Sequence, residues 1–150
     1  MITIQINDPY QGSITPELFE QAAQAVFTQQ EISDELDLTI VVSSDEEILI
    51  LNEQFMGISA PTDVLSFPSS EVDPDTGRPY LGDIIISFPQ AANQAQQEGH
   101  SITAEMELLA VHGILHLIGY DHAEEAGKLE MWTHQTEILF GLDNPLAMKA

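Results

Sequence analysis

Hydrophobic and polar positions alternate with a period of two at the start of the chain. Ile2, Ile4 and Ile6 are separated by Thr3 and Gln5, which predicts a strand over Ile2–Asn7. Thr15-Pro16-Glu17 then opens a helix running to about Gln30, a capping residue followed by proline in the first turn. Leu38–Ser43, with Thr39, Ile40, Val41 and Val42 in succession, reads as a second strand. Ser44-Asp45-Glu46-Glu47 starts a second helix with acids at its positive end, expected to stop near Gly57. Thr62–Pro68 and Asp83–Phe88 read as strands three and four, the latter carrying the buried-type run Ile84-Ile85-Ile86. Between them Ser69–Gly82, rich in Asp, Pro, Gly and Ser, reads as a mobile loop. Pro89–Glu98 predicts a polar Gln/Ala helix, and Ser101-Ile102-Thr103-Ala104-Glu105 signals a new helix start. From Met106 to Ile118 that helix is apolar on nearly every side, which predicts a path through the core. Ala123–Phe140 reads as a terminal helix packing Leu129, Trp132, Ile138 and Leu139 inward.

A chain of 150 residues with 43% hydrophobic and 19% charged residues suits one folded domain, 1–150, that needs no metal to fold. It shows no internal repeat and no apolar run of membrane-spanning length, and its first residues lack a basic leader, so secretion and a membrane partner are both disfavoured. The absence of cysteine is compatible with the cytosol. Twenty-five acidic residues against Arg78, Lys128 and Lys149 give a net charge of −22. No extended basic patch can form, so free nucleic acid is repelled; the acidity reflects solubility or the host's internal conditions, or docks a basic protein partner.

The chemistry concentrates in His112-Gly113-Ile114-Leu115-His116-Leu117-Ile118-Gly119-Tyr120-Asp121-His122, with the spacing H-x3-H-x2-G-x2-H. His112 and His116 are one helical turn apart and share a face. Gly119 lets the chain leave through a left-handed turn, so that His122 can fold back onto the same ion. Three neutral nitrogen ligands leave a dication with an open position, the arrangement of a catalytic zinc; nickel or copper would also be accepted. Zinc peptidases of this spacing carry a glutamate general base directly after the first histidine, where this chain has Gly113. His100, at a helix connection, is expected to be solvated or capping, and His134 structural. Met131 sits where such peptidases place a methionine under the metal, and core packing accounts for it equally.

These residues carry a resemblance. His112–His122, Pro61–Pro68 (P-T-D-V-L-S-F-P), Leu81–Ser87 (L-G-D-I-I-I-S) and Leu51-Asn52 together resemble the YbeY family of metal-dependent endoribonucleases over most of the chain. The resemblance implies an α+β fold with helices on a small mixed sheet. It implies a cytoplasmic zinc hydrolase cutting single-stranded RNA in ribosomal RNA maturation at the 16S 3′ end and in ribosome quality control, with ribosomal proteins as partners. His112, His116 and His122 match the family's metal ligands. One position departs: after Leu51-Asn52 the family generally continues with two residues, an aromatic and an arginine, and here Met56 stands in the arginine's place. That exchange removes a forked phosphate-binding cation and should weaken RNA binding or cleavage.

With Gly113 unable to act as a base, the carboxylates of Asp121 and Asp83 are the first candidates to assist, although Asp121 suits a role behind the third ligand and Asp83 a strand-end turn. Thr62, Asp63 and Ser66 are placed to line the cleft beside the metal, Ser66 being the further catalytic candidate. Two other readings stand beside the nuclease. One is a metallopeptidase, weakened by Gly113; the other is a non-catalytic assembly factor whose metal locks the helix end.

Overall fold

Four strands form one sheet in the order β1-β2-β4-β3: β1 is Ile2–Ile6, β2 Asp37–Ser43, β3 Val64–Pro68 and β4 Tyr80–Ser87. The computed structural model describes residues 1–33, 35–120 and 124–148. β1, β2 and β4 run parallel, and β3 is added antiparallel to β4 at the edge. Strand alternation divides the side chains: Leu38, Ile40, Val42, Ile84 and Ile86 are fully buried on one face, and Thr3 and Gln5 are exposed on the other.

Five α-helices among the described residues surround this sheet: α1 Pro16–Gln29, α2 Asp45–Met56, α3 Phe88–Glu98, α4 Ile102–Ile118 and α5 Glu125–Gly141. The fold is thus α+β with a small mixed sheet, as the resemblance implies. Ser44 and Ser101 cap α2 and α4, accepting the amides of Glu47 at 3.2 Å and Ala104 at 3.1 Å. Thr15 precedes α1 but makes no such side-chain bond. α4 is the pivot of the molecule. It packs against β3, β4, α1, α3 and α5, burying Met106, Leu109, Val111, Ile114 and Leu115 among them. Each such side chain contributes about 1.5–3 kcal/mol when taken from water, so this helix anchors the core. No single helix among the described residues is long and apolar enough to cross a membrane.

Two expectations are corrected. The loop expected over Ser69–Gly82 ends earlier, at Pro79, and is internally bonded. β4 begins at Tyr80, Val72 bridges Pro79, and Ser69 N–H donates to Leu81 O at 3.0 Å, so the β3–β4 pairing continues outward. The turn at its tip is held by the Asp73 carboxylate, which accepts the amides of Asp75 and Thr76. On α5, Ile138 and Leu139 are buried as expected, but Leu129 and Trp132 face outward and Met131 takes the inward position. Met131 thus belongs to the apolar core cluster.

Candidate functional site

Two imidazoles stand on the one side of α4 that the core leaves uncovered. His112 and His116 are half-buried on a helix whose neighbouring residues are mostly fully buried, their ring centroids 4.7 Å apart and their planes at 77°. They form one wall of an open cleft of about 620 Å³ along β3, the edge strand. The opposite wall comes from the end of α2, through Asn52 and Met56, and from Ile58. Asn52 is buried there because its amide donates to Ala60 O at 2.8 Å, fixing the chain that leads into β3.

His112 is oriented from behind. Its Nδ1–H donates to Gln135 Oε1 on α5 at 3.0 Å, which fixes the tautomer and leaves Nε2 with the lone pair. Gln135 was not apparent in the sequence, since nothing in its local pattern marks a contact made twenty-three residues away. After His116 the helix ends at Gly119, whose φ of +117° a side chain would resist. Tyr120 is then anchored by its hydroxyl, which donates to Gln30 Oε1 at 2.7 Å, and by its ring, tilted against His134 at 5.1 Å. His134 is structural as expected, with Gln29 Nε2 2.9 Å from its Nδ1. Asp121 and His122, the proposed assisting acid and third ligand, lie outside the described residues. Among the described residues no third His, Cys, Asp or Glu joins His112 and His116.

Gly113 faces the sheet. A Cβ at this position would lie 2.9 Å from Ile84 Cγ2 and 3.3 Å from Ser66 Oγ, so the strands approach the helix only because the side chain is missing. Ser66 lines the cleft and its hydroxyl makes a long contact of 3.3 Å with the Gly113 carbonyl, fastening β3 to α4. Thr62 and Asp63 also line the cleft. The Asp63 carboxylate accepts Val64 N–H at 2.8 Å and Gln94 Nε2 at 3.4 Å, so α3 and the start of β3 hold it in place.

Asp83 is corrected. It alternates with Ile84, which packs beneath Gly113, and so projects from the opposite face of the sheet, away from the histidines. There it bonds the hydroxyl of Tyr80, whose oxygen is also 2.8 Å from Thr39 Oγ1. Burial, reinforced by the neighbouring acid, raises the Tyr80 pKa and keeps its proton on. His100 is corrected too: its side chain is only 7% exposed and its Nε2 lies 2.6 Å from Glu105 Oε2.

Among the described residues no Lys or Arg lines the cleft. Arg78 is engaged elsewhere, its Nε donating to Asp37 Oδ1 at 2.9 Å beside the N-terminal ammonium, which reaches the same oxygen at 2.6 Å. Lys128 is exposed on α5 and Lys149 lies outside the described residues. Met56, in the place where the resemblance leads one to expect arginine, is 47% exposed and part of the cleft wall.

Fold and cleft together define an α+β domain whose buried helix presents paired imidazoles to an open groove at the sheet edge. This chain belongs to the endoribonuclease YbeY family, whose model matches residues 3–143. It is 37% identical over 148 residues to the endoribonuclease YbeY of Roseiflexus sp. (strain RS-1), covering 94% of this chain and 92% of that one. With its counterpart from Moorella thermoacetica it shares 43% identity over 126 residues, 79% of this chain and 81% of the relative. Among solved structures, the solution structure of TM1509 from Thermotoga maritima matches with a TM-score of 0.60 at 26% identity, over 100% of this chain and 97% of the other.

Proposed function

We propose that this protein is a metal-dependent endoribonuclease that cleaves single-stranded RNA during ribosomal RNA maturation in the cytoplasm, using one zinc ion held by His112, His116 and His122. Membership of the endoribonuclease YbeY family supports the reaction class. The observation that carries the metal is the pair of imidazoles one turn apart on the cleft wall, one of them already oriented by a hydrogen bond to its far nitrogen. That donor set suits zinc. When bound, the ion supplies Lewis acidity toward a phosphate and the positive charge that the lining side chains do not carry.

The chain's own residues do the rest. Gln135 holds the His112 ring, and Gly113 and Ser66 set the distance between α4 and β3. Asp63 is the carboxylate that the described residues bring to the cleft, with Thr62 beside it as a hydroxyl donor. A peptidase reading is disfavoured on steric as well as chemical grounds. A glutamate at position 113 would have to displace Ile84 and Ser66 before it could act as a base.

The test is cleavage of a labelled single-stranded RNA by purified protein of measured zinc content, with and without chelator, beside His116→Ala. Chelator-sensitive cleavage that the substitution abolishes is expected. Cleavage indifferent to both, or no cleavage by zinc-loaded protein, overturns the reading.

A further inference from the structure

A second cavity, of about 480 Å³, lies between α3, α4 and α5 and adjoins the histidine cleft across two hydrogen-bonded links. Gln135, on its wall, accepts from His112 Nδ1 at 3.0 Å, and Gln94, also on its wall, donates to Asp63 Oδ2 at 3.4 Å. His112 and Asp63 both line the cleft. The two hollows therefore share a rim of paired side chains, and a strand lying at the histidines can place its next unit in the second one.

The lining chemistry states what kind of unit that is. Trp132 leaves 43% of its surface exposed at the cavity, although an indole on α5 had been expected to turn inward. Leu108 and Leu139 supply an apolar floor, and the carboxamides of Gln94, Gln97 and Gln135 supply neutral donors and acceptors. Among the described residues no Lys or Arg lines it, while Glu98 and Glu105 do and the His100 ring is taken up by Glu105, so a phosphate is disfavoured. A flat, neutral group with a hydrogen-bonding edge fits these terms. Aromatic stacking, with side-chain amides at the base edge, is how unpaired bases are held.

We propose that this cavity is a subsite for an unpaired nucleobase of the RNA whose phosphodiester is bound at His112 and His116, with Trp132 as its stacking platform. The proposal rests on the ribonuclease reading above.

Trp132 is the sole tryptophan of the chain, so its fluorescence reports on this cavity alone. Zinc-loaded protein is mixed in a stopped-flow instrument with a single-stranded RNA oligonucleotide, and with the same oligonucleotide made abasic throughout. Cleavage kinetics are measured in parallel for the parent, Trp132→Ala and Trp132→Phe. Quenching by the RNA but not by the abasic strand is expected. So is a KM raised about tenfold by Trp132→Ala at unchanged kcat and largely restored by Trp132→Phe, the loss typical of one base–aromatic stack. Normal cleavage without base-dependent quenching, or a Trp132→Ala enzyme with the parent's KM, overturns the subsite and leaves the nuclease standing. Base-dependent quenching without cleavage keeps the subsite and sinks the catalytic reading. Absence of both signals removes both.

Discussion

Gln135 and His112 are joined across the α4–α5 interface by a 3.0 Å hydrogen bond from the imidazole Nδ1 to the amide oxygen. The bond sets which ring nitrogen is offered to the cleft. Gln135→Leu keeps the bulk and removes the acceptor, so affinity for zinc should fall about 10- to 100-fold, while Gln135→Glu should retain it. Competition against a chromophoric chelator measures this without reference to turnover. Equal affinities in the parent and the leucine variant would show that the ring orients itself.

Gly113 is needed for contact between sheet and helix. Gly113→Ala places a methyl 2.9 Å from Ile84 Cγ2, and urea denaturation should show a loss of about 1–3 kcal/mol. Combining it with Ile84→Ala should cost less than the two single losses added together, because the cavity of one receives the methyl of the other. Strict additivity would mean that the backbone moves aside.

Met56→Arg should strengthen binding of single-stranded RNA. One added phosphate contact steepens the dependence of log affinity on log salt by about 0.7. Fluorescence anisotropy over a salt series reads this directly, and an unchanged slope would mean that the end of α2 does not touch the strand.

Two carboxylates should give the pH–stability curve opposite contributions. The N-terminal ammonium, then Arg78, hold the Asp37 carboxyl below its usual range, so its stabilising effect is present above the ordinary carboxylate pKa and lost as pH falls through the folded value. Asp37→Asn should flatten the acid limb. Burial raises the pKa of Glu107 against the lowering effect of its bond from Asn144 Nδ2 at 2.9 Å. The folded state then holds more protons than the unfolded one, and stability falls as pH climbs from the ordinary range through the raised value. Glu107→Gln should match the parent in acid and exceed it in melting temperature at neutral pH. The reverse order would place the charge of Glu107 in a stabilising setting.

Much of this architecture is legible in the residue pattern. Serine before acids marks the start of α2, serine before Ile102 the start of α4, and the unbroken apolar circumference of α4 announces its central place. What stays hidden has physical causes. The face of Asp83 could not be read because Ile84-Ile85-Ile86 is apolar at every position and so carries no parity. The apolar residues of α5 are spread around the helix, so only tertiary packing chooses Met131 over Trp132 for the interior. The burial of His100 depends on Glu105 reaching back across a helix start to bond its ring, a pairing no periodicity encodes. The two helical histidines were plain from their spacing, whereas Gln135 and the anchoring of Tyr120 by Gln30 arise only on folding.

The placement of His112 and His116 on the most enclosed helix couples their integrity to the cooperative melting of the whole domain. Amide deuteration along α4 should be among the slowest in the molecule, proceeding only through global opening. Heating would then destroy the donor pair in a single step, with no range of temperature in which the protein persists while its histidines drift apart.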